Sequence, residues 1–107
     1  MTNMDNEIIE IYLELISRYK GLIEYKTWDS KYKKTSKEHI YKMLLDIEIN
    51  YDNYKTIDKI SRFIGFIQGV LSSFGIIDVD EERILTRKLF QNIYKKYNIV
   101  QDTIFIK

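Results

Sequence analysis

The stretch Ile57–Gly75, IDKISRFIGFIQGVLSSFG, decides the fold. Ile57, Ile60, Ile64, Ile67, Val70, Leu71 and Phe74 recur at steps of three and four residues, the spacing of one apolar helix face. Thr56 stands where an N-cap belongs, and Gly75 suits the left-handed position just past the helix end. Beside the apolar face runs a second line of mostly small residues, Ser61, Gly65, Gln68 and Ser72, with Gly69 next to it. A glycine inside a helix costs about 1 kcal/mol relative to alanine, so two within one turn require a compensating gain. The small-x-x-x-small spacing of Gly65 and Gly69 leads to the expectation that another main chain lies against this face, with Gln68 fixing the register.

The rest of the chain reads the same way. With no proline and four glycines, few positions force a break, and the scarcity of turn dipeptides argues against a many-stranded fold. The pattern predicts one all-α domain over residues 1–107, a four-helix bundle with helices at about 4–25, 36–49, 57–74 and 80–97 and a short extended tail. The first helix carries two stripes, Ile8, Tyr12, Leu15, Tyr19 and Leu22, then Ile9, Leu13, Ile16 and Ile23. That width requires burial on two sides, inside the bundle or against a second copy. Residues 26–34, KTWDSKYKK, form the longest loop, and Thr35 with Glu38 reads as a capping box for the second helix, which buries Ile40, Met43, Leu44 and Ile47. Asp78, Asp80, Glu81 and Glu82 supply the cap and the negative charge favoured at the start of the fourth helix. That helix buries Ile84 or Leu85, Leu89, Ile93 and Tyr97, and the third and fourth helices are expected to pair as an antiparallel hairpin across residues 75–79. In the tail, Ile99, Val100, Ile104, Phe105 and Ile106 favour strands and must dock on the core, pair with another chain, or be an aggregation hazard.

Composition narrows the function. The 107 residues carry 17 Lys and Arg against 16 Asp and Glu, so net charge indicates neither a nucleic-acid coat nor an acidic mimic. Without cysteine there is no thiolate nucleophile, disulfide or Cys-ligated metal centre. The single histidine, His39, has no nucleophile beside it in sequence, and no phosphate loop, Gly-x-Ser-x-Gly elbow or zinc motif occurs, so neither an enzyme, a cofactor nor a metal site is expected. Asp78–Glu82 lacks the glycine and distal glutamate of a calcium loop. The segment MTNMDNEIIE lacks a basic leader, and the most apolar run, residues 63–77, is shorter than a bilayer span and interrupted by Gln68, Ser72 and Ser73; the expected location is the cytoplasm, with no membrane association.

The segments SRFIGFIQGVL (residues 61–71), GIIDVDEER (75–83) and RKLF (87–90), with Tyr94, resemble a group of small phage and prophage proteins. In that group an aromatic-x-G-[FY]-[IV]-Q-G-x-L segment precedes a short turn, an acidic helix start and an R-x-x-F-like end. The resemblance spans residues 58–97, with Phe63 where most members carry tryptophan. It implies a phage-borne gene and no particular activity.

Several residue groups are candidates for recognition. Arg83 and Arg87 are one helical turn apart, where like charges repel, so an anion nearby is expected: a carboxylate of this domain such as Glu14, Glu48 or Asp58, or a phosphate or partner carboxylate. Trp28 and Tyr32 interleave with Lys31, Lys33, Lys34 and Lys37 in a loop that either folds its tryptophan inward or contacts a partner. Gln68 between two glycines either fixes helix register or reads a ligand with its donor and acceptor. Nine tyrosines, with Tyr32, Tyr51 and Tyr54 taken as exposed, mark a contact surface.

The expected function is docking without catalysis on a host or defence protein, with Trp28, Tyr32, Lys33, Lys34, Arg83 and Arg87 as partner-binding residues and Gly65, Gln68 and Gly69 as helix-packing ones. One alternative is a nucleic-acid-binding protein using the Lys31–Lys37 loop. Another is a homo-oligomer, assembled through helix 1 or the tail, that sequesters a small anionic ligand such as a nucleotide by way of Arg83 and Arg87.

Overall fold

In a computed structural model of the chain the described residues are 3–54 and 56–98. They form four α-helices, α1 (Asn3–Tyr25), α2 (Lys37–Asn50), α3 (Ile57–Ser73) and α4 (Val79–Lys96), with 3-10 turns at Lys33–Thr35 and Tyr51–Asn53 and no strand among them. The expected all-α four-helix architecture is present. The apolar tail, and oligomerisation through it, lie outside the described residues.

The ends of the helices follow local chemistry. At the end of α3, Gly75 takes φ +70°, its N–H donates to Ser72 O at 3.1 Å, and the Ile76 N–H donates to Leu71 O at 2.8 Å. This is the paired-bond termination that glycine permits, with Leu71 and Ile76 both buried beneath it. Asp78 caps α4 by accepting from the Glu81 N–H at 3.0 Å, and Asn98 closes it at φ 55°. Two expected caps are corrected. Thr56 occupies the N-cap of α3, but its side chain makes no capping bond. Ser36 caps α2 instead of Thr35, accepting from the His39 N–H at 3.2 Å. The 3-10 turn engages Thr35 through its bond to Tyr32 O, which shifts the cap by one residue and removes Glu38 from the box.

The core has α1 as its axis. Ile9, Leu15, Ile16, Tyr19 and Ile23 are buried, and Ile11, Tyr12, Leu13 and Leu22 are partly so, because α1 packs against α2, α3 and α4 at once. The double stripe is therefore covered within the bundle. Ile40, Leu44 and Ile47 of α2 and Ile60, Ile64, Ile67, Val70 and Leu71 of α3 join the same buried cluster. On α4 the buried positions are Glu82, Phe90 and Ile93, while Ile84 is 56% exposed. Tyr51 and Tyr54 are half-buried against the core, so of the three tyrosines expected outside only Tyr32 is.

The α3–α4 hairpin keeps its expected antiparallel sense, but the expected packing of the two helices on each other is corrected. Each of these helices packs on α1, and they barely meet one another. An added Cβ at Gly65 or Gly69 would find nothing within 4 Å, so no main chain of the described residues lies against the glycine face. Small residues removed the side chains from that face without drawing a neighbour into the space among the described residues.

This geometry fixes opposite signs for glycine replacements. Gly65→Ala and Gly69→Ala are expected to stabilise the domain by about 0.5–1 kcal/mol each through helix propensity, and Gly75→Ala to destabilise it by about 1 kcal/mol through its left-handed backbone. Urea unfolding measures all three; loss of stability in Gly65→Ala would contradict an open face.

Candidate functional site

Two tyrosines of α1, two helical turns or about 10 Å apart, hold α3 and α4 in place. Tyr12 pairs its hydroxyl with Ser61 Oγ of α3 at 2.8 Å and meets Phe90 of α4 edge-on, ring centroids 5.7 Å apart. Tyr19 donates its hydroxyl to Glu82 Oε2 of α4 at 2.7 Å and accepts from Gln68 Nε2 of α3 at 2.8 Å. Going from Tyr12 to Tyr19, the partners rise from Ser61 to Gln68 on α3 and fall from Phe90 to Glu82 on α4. Hence α3 runs parallel to α1, and α4 runs against it.

Between these two crosspieces lies a groove of about 550 Å³. Leu15 is at its base; Ser61, Gly65, Gln68, Gly69 and Ser72 form the α3 side; Arg83, Thr86, Arg87, Phe90 and Tyr94 form the α4 side. The α3 side is mostly backbone because its residues are small. Phe90 and Tyr94 stack at 5.8 Å toward the far end of α4, giving that end an aromatic wall. Thr86 Oγ1, buried next to the groove, has no hydrogen-bond partner.

Glu82 is the buried charge at this site, 4% exposed. A carboxylate in such a place must be paired. Arg18 supplies the charge, with Nη2 at 2.8 Å from Oε1, and Tyr19 takes the other oxygen. The hydrogen bond to Glu82 holds the Arg18 guanidinium above its ordinary range. Burial, with Glu82 adding to it, pushes the Tyr19 hydroxyl far up. Both Glu82 oxygens are thus occupied, so the carboxylate presents little negative charge to the groove.

Arg83 and Arg87 both line the groove. The internal carboxylates expected to neutralise them are not all free to do so: Glu48 pairs with Lys20 at 2.9 Å and Asp58 with Arg62 at 3.1 Å. Glu14 lines a separate acidic surface with Glu7 and Glu10. Arg87 forms no ion pair with a described residue.

The other candidates sit elsewhere. Trp28 is folded inward, its indole N–H donating to Thr35 O at 2.9 Å and its ring stacked on Phe74 at 5.8 Å, which removes it from the exposed anchors. Tyr32 is 73% exposed, Lys33 and Lys34 are exposed, and a second cleft of about 670 Å³ lies between Lys31, Tyr32 and Thr35 of the loop and Phe66, Val70 and Phe74 of α3. Of the six expected partner-binding residues, Trp28 is packed inward, Tyr32, Lys33 and Lys34 stand on the loop, and Arg83 and Arg87 line the groove. Gln68, Gly65 and Gly69, expected as packing residues, instead join Arg83 and Arg87 in one groove.

Sequence reasoning missed Arg18 and the inward turn of Glu82. A signal existed: Glu82, Thr86, Leu89, Phe90 and Ile93 share one face of α4, so a carboxylate stood on the core side, and Tyr19 stood on an apolar stripe of α1 where a buried hydroxyl needs a partner. No model of a known protein family, no characterised protein and no solved structure matches the chain. Among the described residues no helix is long and apolar enough to cross a membrane.

Alkaline stability reports on this network. Burial pushes the Tyr54 hydroxyl up to about 12, with its bond to Asp46 adding to the effect, and Tyr19 goes higher. A phenol whose folded pKa exceeds its unfolded value of about 10 contributes stability that is complete below pH 10 and lost as pH climbs through the folded value. The unfolding free energy is expected to fall from about pH 10 upward, and less steeply in Tyr19→Phe and Tyr54→Phe. Urea unfolding with tyrosinate absorbance measures this; an unaltered alkaline limb in both variants would contradict it.

Proposed function

We propose that the chain is a binding domain without catalytic activity, and that it holds a small anionic ligand such as a nucleotide in the α3–α4 groove. The observation that carries this is the placement of Arg83 and Arg87 on one rim of a groove whose opposite rim carries Gly65, Gln68 and Gly69, with no described residue within 4 Å of where a Cβ would stand on either glycine. Guanidinium groups one turn apart suit the oxygens of a phosphate, and Arg87 has no carboxylate among the described residues to neutralise it. The groove's volume, about 550 Å³, falls within the range of small-molecule sites. Tyr94, half-buried at the end of the groove and backed by Phe90, offers a ring surface for a base. A second copy laid across the groove would sequester the ligand between subunits. The phage setting implied by the resemblance of residues 58–97 fits a protein that withdraws a signal or metabolite in the cytoplasm of its host.

A ligand that binds only the folded state raises its melting temperature. Saturating AMP or pyrophosphate is expected to raise Tm by several degrees, since about 1 kcal/mol shifts a domain of this size by about 4–8 °C. Arg87→Ala and Arg83→Ala are expected to reduce the shift while leaving the unliganded Tm within a few degrees. An unchanged Tm with nucleotides and with pyrophosphate would overturn the reading.

A second reading, docking on a host or defence protein, is favoured by the cleft beside the loop. There Tyr32, Phe66 and Phe74 are exposed aromatics, with Lys31, Lys33 and Lys34 on the adjoining loop. Those lysines also support the nucleic-acid alternative, which requires affinity that falls steeply with salt. Capture of one host protein in a fixed ratio, resistant to nuclease and abolished by Tyr32→Ala, is the outcome expected for docking; recovery that nuclease removes would indicate nucleic acid.

A further inference from the structure

The orientation of the Gln68 amide is set by a chain of donors and acceptors that begins at Glu82. Glu82 is paired with the Arg18 guanidinium, Nη2 standing 2.8 Å from Oε1, and serves as the acceptor of this chain. The Tyr19 hydroxyl proton must therefore go to Glu82 Oε2, 2.7 Å away. With its only proton committed, the Tyr19 oxygen can only accept from its other neighbour, which places the Gln68 amide nitrogen against it at 2.8 Å. Burial keeps that tyrosine protonated at any ordinary pH, so the direction of the chain does not reverse. The amide carbonyl then faces the other way. Gln68 lines the groove, its oxygen is not among the buried atoms lacking a partner, and no described residue donates to it.

We propose that Gln68 is the specificity-determining residue of this groove: its side-chain carbonyl, locked by Tyr19, selects phosphate-bearing ligands that also present an N–H donor, such as nucleotides with an exocyclic amine on the base. The inference rests on the groove being an anion site. A fixed acceptor left without a donor in a partly desolvated site disfavours a ligand that lacks one. Arg83 and Arg87 stand across the groove on α4 and Gln68 on α3, so phosphate and base would be read from opposite walls. Tyr19 and Glu82 are positioning residues in this scheme, because they reach the ligand only through Gln68.

The test measures dissociation constants by calorimetry for two pairs of probes, each pair differing by one exocyclic amine: AMP against purine riboside 5′-monophosphate, and GMP against IMP. Pyrophosphate serves as a base-free control. Wild-type protein is expected to favour the amine-bearing member of at least one pair by about threefold or more, as one neutral hydrogen bond allows. Gln68→Met, which keeps the length of the side chain but removes the acceptor, is expected to lose the preference and retain pyrophosphate binding. Tyr19→Phe, checked for folding by circular dichroism, is expected to do the same with the glutamine still present, an effect that a merely structural Gln68 would not produce. Preferences below threefold in both pairs, or a preference kept in Gln68→Met, would overturn the role of Gln68 while leaving the anion site standing. Failure of pyrophosphate and all four nucleotides to bind would overturn both.

Discussion

The spacing of Tyr12 and Tyr19 on α1 is the constraint on which the rest of this structure depends. Each ring sits on a helix covered from three sides, and each hydroxyl is too costly to bury unpaired. Both find partners on the two helices that flank them, Ser61 and Gln68 on α3 and, for Tyr19, Glu82 on α4. Because the tyrosines stand between α3 and α4, those helices are joined through α1 and not to each other. The gap left between them is the groove, and its base is Leu15, the residue that falls between the two tyrosines on the same stripe.

The buried carboxylate of Glu82 makes the arrangement specific. An apolar residue in its place would pack as well, and buried ion pairs add little to stability against such a replacement. What Glu82 adds is direction: it receives the Arg18 guanidinium across both oxygens and the Tyr19 hydroxyl on Oε2, and through Tyr19 it fixes an amide on the opposite helix. A polar chain of this kind has one satisfied arrangement, so α4 has one rotational setting against α1. Arg83, one residue on, and Arg87, a turn further, are thereby turned to the groove. The glycines of α3 belong to the same logic. They weaken their helix by about 1 kcal/mol each, and no packing contact offsets that loss within the described residues. Sequences tend to break local rules of this sort at functional sites, and here the break lines the groove.

Much of the architecture was legible beforehand because its causes are local. The Asp78 cap, the Gly75 terminus and the three- and four-residue spacing of Ile60, Ile64, Ile67 and Leu71 act within a turn or two of chain, and the helices fall within a residue or so of their expected bounds. The errors occurred where two local solutions compete. Thr35 and Ser36 are adjacent and both able to cap, and the 3-10 turn that chose between them is not encoded in a helix-start pattern. The candidate site was only half legible. Arg83, Arg87, Gln68, Gly65 and Gly69 were all singled out, but as members of separate groups, since residues on two different helices carry no mutual sequence spacing.

By itself the sequence determined the four helices, the Asp78 cap and Gly75 terminus, and the apolar faces that α1 had to bury, because periodicity and end chemistry are properties of a few consecutive residues. Only the tertiary structure decided whether the small-residue face of α3 would be covered or left open. A stripe of glycine and serine lowers the cost of close approach and equally leaves room for nothing to approach, and the choice was made on another helix, where Tyr12 and Tyr19 reach both neighbours at once. The same holds for Glu82: acidic residues at a helix start all satisfy the dipole, and only the position of Arg18 across the core determines which of them turns inward.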